Sequence, residues 1–222
     1  MSRRLAVVLV LALGVLLLSQ AAGQAAAKAA VQAAEEAGAR KGAPTEDGWI
    51  RLFNGKDLTG WKPVGHALWS VEDGAIVGRS NPGRRGNFWL FTEADYDNFV
   101  LRLKFWVSPG SNSGVAVRDP SRASGPLRPS AVGYEIQIID RKGTKMPTGS
   151  IYLIQPAVDG LHLSDEWNEL EVECAGPRIS VRVNGHPAAE TRHDRSGRGG
   201  IGLQIHDRDQ VIKFKDIVLK RM

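Results

Sequence analysis

The chain has 222 residues, 29 Lys and Arg against 24 Asp and Glu, a formal net charge of +5 and one cysteine. A single cysteine excludes an intrachain disulfide framework, and a chain of this length has no need of one. The positive charge lies on arginines scattered among Gly, Pro and Ser, at Arg84, Arg85, Arg118, Arg122, Arg128, Arg192, Arg195 and Arg198. It forms no basic helix and no aromatic-on-strand pattern, which excludes the common nucleic-acid modules and leaves charge for solubility.

The N-terminus reads as a secretory signal over residues 1–23. Two arginines in Met1–Arg4 precede an unbroken apolar run, Leu5–Leu18, and small residues follow at Ala21-Ala22-Gly23. The run falls short of the roughly 20 apolar residues of a spanning helix. An uncleaved N-terminal anchor is the competing reading. The expectation is a secreted or periplasmic protein with no stable membrane insertion once the signal is removed. Residues 24–46 are rich in Ala with no apolar stripe, and read as a linker or frayed helix. The folded domain is expected over 47–222, a comfortable size for one core.

Beyond the linker, short segments alternate apolar and polar residues and are punctuated by Gly, Pro, Asn and Asp, the pattern of an all-β sandwich. Phe99, Leu101, Leu103, Phe105 and Val107 fall on one face of a predicted strand, with Arg102 and Lys104 opposite. Leu170, Val172 and Cys174 alternate with three glutamates, so Cys174 reads as buried and inert rather than catalytic. Ile179, Val181 and Val183 follow, then Asn184-Gly185, a dipeptide suited to positive φ in a tight turn. Val211–Leu219 reads as a closing strand that partners an N-terminal one. Trp61, Trp69, Trp89, Trp106 and Trp167 are expected mainly in packing roles rather than sugar stacking.

Applying the period of two to three other segments yields a chemically rich face. In Gly114–Arg118, Val115 and Val117 point one way, and Gly114, Ala116 and Arg118 the other. In Tyr134–Ile139, Ile136 and Ile138 go inward with Tyr134, leaving Glu135 and Gln137 opposite. In Ile201–His206, Ile201, Leu203 and Ile205 are core, while Gly202, Gln204 and His206 face away. The small residues beside these polar ones suggest room for a ligand. A carboxylate beside an arginine serves as a base or orients a hydroxyl, histidine exchanges protons near neutrality, and glutamines pair with vicinal hydroxyls. The mixture suits sugar. The alternative is ordinary exposed residues on strands that never meet.

A set of motifs then carries a resemblance: Phe53-Asn54-Gly55-Lys56-Asp57-Leu58-Thr59-Gly60-Trp61, Trp69–Gly74, Asn112-Ser113-Gly114-Val115 with Arg118, Tyr134–Asp140, Thr148–Tyr152, Trp167-Asn168, Asn184-Gly185 and Gly202–His206. In this order they resemble the 3-keto-disaccharide hydrolase domain family over Gly48–Met222. The resemblance implies a concanavalin A-like jelly-roll sandwich of two antiparallel sheets, exported and acting on glycosides oxidised at the sugar 3-position. Its polar face would be Asn112, Arg118, Glu135, Gln137, Gln204 and His206. Asp140 also matches, but its parity is that of the core side, and a structural role at the following turn is expected for it. Glu135–Asp140 resembles in outline the strand motif of laminarinase-like glycosidases. Gln137 and Asp140 replace two of that motif's carboxylates, whereas retaining hydrolysis needs two carboxyls about 5–5.5 Å apart. Ordinary double displacement is therefore not expected.

The chemistry implied instead is elimination. A C3 ketone acidifies the C2 proton, the aglycone leaves from C1, and water adds to the enone. Such a route uses Glu135 as base, Arg118 or a bound cation as stabiliser of the enolate, and His206 as acid, with Glu135 and His206 exchangeable. Asn112, Gln137 and Gln204 would bind substrate. No cofactor is expected. A divalent cation on Glu135 and His206 is conceivable, although no clustered ligand motif supports it. The partner is carbohydrate. A lectin-like binding module is the alternative to an enzyme, and an adhesion or scaffold protein without a small-molecule site is a third.

Overall fold

The computed structural model describes residues 47–222 except 82, 84, 85, 124–127, 207 and 208. The described residues belong to one compact unit, Ala43–Met222. The expected signal and linker lie outside the described residues. None of the helices among those residues is long and apolar enough to cross a membrane.

Thirteen strands are described: β1 (Trp49–Arg51), β2 (Trp61–Val64), β3 (Leu68–Glu72), β4 (Ala75–Arg79), β5 (Phe88–Thr92), β6 (Phe99–Val107), β7 (Asn112–Asp119), β8 (Tyr134–Ile139), β9 (Asn168–Ala175), β10 (Arg178–Val183), β11 (His186–Arg192), β12 (Gly200–Ile205) and β13 (Val211–Arg221). One short helix, α1 (Pro129–Val132), precedes β8, with Pro129 at a position where a missing N–H costs nothing. The strands form two antiparallel sheets. The larger runs β11-β10-β9-β6-β13-β4-β3, with β1 also paired to β13; the smaller runs β2-β5-β12-β7-β8. The predicted closing strand is β13, and its partner near the N-terminus is β1, with Ile50 opposite Leu219.

The two inner faces make one core. From the larger sheet come Phe99, Leu101, Leu103, Phe105, Leu170, Val172, Cys174, Phe214 and Leu219; from the smaller come Leu90, Val115, Val117, Tyr134, Ile136, Ile138, Ile201, Leu203 and Ile205. Apart from Leu90 on β5 and Phe214 and Leu219 on β13, these are the residues the period of two selects. Cys174 is fully buried, and burial pushes its thiol up to about 12, which leaves no thiolate nucleophile at neutral pH. Asn184 and Gly185 both take positive φ, at 50° and 78°, in the turn between β10 and β11. Trp61 and Trp89 are buried, while Trp167 is 37 % exposed.

Candidate active site on the small sheet

On the outer face of the small sheet, antiparallel register lays side chains in rows. Gln204 on β12 is directly opposite Trp89 on β5, and Gly202 is opposite both Phe91 on β5 and Ala116 on β7. Ala116 is opposite Glu135 on β8, and Gly114 is opposite Gln137. Continuing the β12–β7 register from Leu203 opposite Val115 puts Gln204 beside Gly114. Glu135 leans diagonally over Gly114, so that Gln204 Nε2 donates to Glu135 Oε1 at 2.9 Å. A Cβ at position 114 would stand 3.1 Å from that oxygen. The glycine is the gap through which the two side chains meet.

The small residues on this face are therefore occupied, which corrects the expectation that they leave room for a ligand. The Phe91 ring lies where a Cβ of Gly202 would come within 2.4 Å of it. Ala116 packs with Trp89, Phe91 and Val64 in a second apolar cluster. The open space lies farther along, in a pocket of about 100 Å³ lined by Asn87, Asn112, Arg128, Ser130, Glu135, Gln137, Tyr152, Leu153 and His206.

Two segments roof the pocket. Residues 149–152 bond the free edge of β8: Gln137 N–H donates to Ser150 O, and Tyr152 N–H to Glu135 O, at 2.9 and 2.8 Å. This pairing brings Tyr152 and the exposed Leu153 to the rim. The connection from β7 to β8 returns at Arg128 and α1, where Arg128 Nε donates to Ser130 Oγ at 3.1 Å. Behind α1, Arg195 Nη1 donates to the Ser130 and Gly133 carbonyls at 2.8 and 3.1 Å and fixes the helix from the far side. Under this roof Glu135, Gln137 and Gln204 are each at most 5 % exposed.

Burial is the main influence on Glu135 and pushes its carboxyl up to about 7. Hydrogen bonds from Gln204 and Ser130 and the positive charge of Arg128 act in the opposite direction without overcoming it. Gln137 Nε2 donates to Asn112 Oδ1 at 3.3 Å, which orients that amide along the pocket wall.

Of the residues expected in the site, Asn112, Glu135, Gln137 and His206 line the pocket, and Gln204 lies beneath it holding Glu135. Arg118 does not join them. Its backbone takes φ of 50° where the β12–β7 register slips between Gly200 and Gly202, so strand parity ends one residue early. The side chain is 1 % exposed and turns toward the large sheet. There Nε donates to Asp97 O at 2.6 Å, Nη1 to Gly176 O at 2.6 Å and Nη2 to Asn98 Oδ1 at 3.0 Å. It ties the turn after β9 to the start of β6. Among the described residues the arginine lining the pocket is Arg128, in a loop where no periodicity marks it. Tyr152, within a motif quoted for the family resemblance, carried the one available signal among the other missed residues, Asn87, Ser130 and Leu153.

Asp140 accepts from Gly110 N–H at 3.0 Å and Ser164 Oγ at 2.8 Å, and pairs with His162 Nε2 at 3.1 Å. Its role is structural, but it clasps two other loops rather than the turn that follows it. Among the described residues no three His, Cys, Asp or Glu side chains gather as a metal-binding group.

Comparison with known proteins identifies the fold and the family. A curated 3-keto-disaccharide hydrolase of Bacteroides thetaiotaomicron is 28 % identical over 153 residues, which cover 57 % of this chain and 52 % of the relative. The match thus spans about half the length of that relative. A crystal structure of a Parabacteroides distasonis protein, named as a candidate glycosyl hydrolase, superposes with a TM-score of 0.67 at 24 % identity, covering 82 % of this chain and 99 % of the other. A Bacillus subtilis protein with a galectin-like fold superposes with a TM-score of 0.58 at 13 % identity over 74 % of this chain and 90 % of its own. These two likenesses establish the lectin-like jelly roll. The model of the 3-keto-α-glucoside-1,2-lyase-like domain matches residues 48–220, all but the ends of the folded unit, and the chain belongs to that family.

Proposed function

We propose that the domain cleaves 3-keto-glycosides by abstracting the C2 proton. The observation that carries this reading is a buried carboxyl, Glu135, held near neutrality in a pocket that also presents Asn112, Arg128, Gln137 and His206. A base with a pKa close to ambient pH is both available and strong enough to take a proton acidified by an adjacent ketone. The name of the B. thetaiotaomicron relative supports the same substrate class.

In this reaction Glu135 takes the C2 proton, and the C2–H electron pair moves into the C2–C3 bond as negative charge develops on the C3 oxygen. Arg128, rather than Arg118, supplies the positive charge that stabilises that oxygen. The enolate then expels the C1 substituent, and His206 protonates the departing oxygen. Addition of water across the C1–C2 double bond restores a 3-keto sugar, so the net change is hydrolysis. Asn112 and Gln137 are placed to hold hydroxyl groups. A pocket of about 100 Å³ is below the several hundred Å³ that enclose a larger ligand. It takes the reacting edge of one ring, and the leaving group extends past Leu153. The same reading has the protein exported, on the strength of the apolar run Leu5–Leu18.

The test is to incubate the purified domain with 3-keto-trehalose and with 3-keto-glucosides and to follow sugar release. Exchange of the C2 hydrogen with D₂O is measured in parallel. Release with C2 exchange is expected from the native protein, and neither is expected from Glu135→Gln. Binding of unoxidised sugars that survives Glu135→Gln, with no release from any keto substrate, would replace the enzyme with a lectin-like module.

A further inference from the structure

The pocket on the small sheet has a polar wall, with Asn87, Asn112, Arg128, Glu135, Gln137 and His206 on it. Among the described residues that line it, Leu153 is the one aliphatic side chain, and it is 62 % exposed. Its backbone takes φ of 62°, a left-handed value uncommon for leucine.

The turn that carries Leu153 is firmly held. Ile151 N–H donates to Gln155 O, and the N–H groups of Ile154 and Gln155 both donate to Ile151 O, each at 2.9 Å. Ile151 is fully buried, and Ile154 packs against the core. Tyr152 N–H donates to Glu135 O at 2.8 Å, so the turn is bonded to the backbone of the candidate base itself. Leu153 reverses the chain between these anchors and has no freedom to leave the left-handed region. Asparagine or glycine would adopt that conformation with less strain. The leucine thus carries backbone strain and still leaves most of its apolar side chain in water, an arrangement that does nothing for folding.

The position of the turn fixes what reaches this side chain. A pocket of about 100 Å³ takes the reacting edge of one sugar ring, so the substituent on C1 stays outside. With Glu135 at C2 and His206 at the departing oxygen, that substituent passes the rim where Leu153 stands. We propose that Leu153 is a specificity-determining residue for the leaving group and favours glycosides of hydrophobic ring alcohols, whose apolar face lies against it. The inference rests on the reading of Glu135 as the base. Covering the leucine removes apolar surface of both partners from water, which favours such a leaving group by roughly fivefold to tenfold. A methyl group is too small to cover it. A leaving sugar gains less, because its hydroxyls lose water against an alkyl side chain.

The experiment compares cyclohexyl and methyl 3-keto-glucosides of the same anomer, which both release an alkyl alcohol and differ in apolar area. The ratio of kcat/KM, cyclohexyl over methyl, is measured for the native protein, Leu153→Asn and Leu153→Met. Leu153→Asn is expected to lower the ratio by about fivefold to tenfold, and Leu153→Met to keep it within about twofold. Asparagine suits positive φ, so Leu153→Asn is also expected to raise the melting temperature by about 1–3 °C. A lower melting temperature would show that the leucine serves the fold and would overturn the inference. Should the native protein cleave neither glycoside, the proposed function falls, and the contact is read from the Leu153 methyl resonances instead. These are expected to shift with unoxidised cyclohexyl glucoside and not with methyl glucoside. A ratio that Leu153→Asn leaves unchanged, or in that second case methyl resonances indifferent to the cyclohexyl group, overturns the inference.

Discussion

Glu135 ionises in a place that resists its charge, and the resistance has a sign that stability measurements can read. Its folded pKa of about 7 lies above the ordinary 4.5, so between these values the folded state binds the proton more tightly than the unfolded chain does. This contribution to stability is fully present below about pH 4.5 and is lost as pH rises through 7. The difference corresponds to about 3 kcal/mol as an upper bound. Glu135→Gln keeps the shape and cannot ionise. It should flatten the fall in stability between pH 4.5 and 7 and be the more stable protein at pH 8 by about 1–3 kcal/mol, in urea titrations at a series of pH values. A variant with the native slope would place the titrating group elsewhere. The two arginines make a complementary pair of predictions. Arg118→Met removes the buried guanidinium from three partly buried acceptors and should cost about 1–3 kcal/mol. Its residual folded fraction should retain the native pH profile. Arg128→Met, beside Ser130 at the pocket, should lower kcat by about tenfold or more while changing the melting temperature little. The reverse pattern would restore Arg118 to the chemistry.

At the scale of strands and loops, the fold was written in alternation, and the site was written there only as far as alternation lasts. Strands β6, β9 and β10 and the inner faces of β7, β8 and β12 follow the period of two, so their core residues were readable one by one. The same parity placed Glu135, Gln137 and Gln204 on the outer face. It failed at Arg118 because a left-handed residue at a register slip reverses direction, and nothing in an arginine signals that conformation. It was silent on Arg128 and Ser130, whose position comes from a loop and a one-turn helix anchored by Arg195 across more than sixty residues of sequence. Glycine misled in a different way. Gly114 and Gly202 suggested space for a ligand, but the space is taken by Glu135 and by the Phe91 ring. A methyl group at position 202 meets that ring at 2.4 Å, so Gly202→Ala should displace Phe91 from Trp89 at a cost of about 1–3 kcal/mol. Gly114→Ala stands at 3.1 Å from the Glu135 oxygen and should act mainly on activity, by pushing the carboxyl off Gln204. Equilibrium unfolding and kcat measured on both variants separate the two effects, and equal losses of stability would remove the distinction.

Across the whole molecule, the two sheets turn chemically different faces outward. The large sheet carries cross-strand charges that cancel: Arg102 Nε meets Glu171 at 2.6 Å, Lys104 reaches Glu169 at 3.8 Å and Asp216 at 3.4 Å, and Arg178 spans Glu173 and Glu190 at 2.7 and 2.8 Å. A groove of about 450 Å³ runs through the first of these pairs, lined by Arg102, Lys104, Glu169, Glu171, Arg182 and Asp216 among others. It is larger than the pocket on the small sheet, yet each of its acids faces a base, and none of its charged side chains is buried. Glu135 differs because it is buried and only partly compensated, the condition under which a carboxyl is tuned for proton transfer. Under the proposed function, charge balance rather than size singles out the pocket on the small sheet. Exposed pairs of this kind are worth about 0–1 kcal/mol each, so Arg102→Ala and Glu171→Ala, singly or together, should shift unfolding free energy by less than about 1 kcal/mol. Cleavage of 3-keto-glucosides should continue at the native rate in all three variants. A tenfold fall in kcat/KM in any of them, with the melting temperature unchanged, would move the catalytic surface to the large sheet.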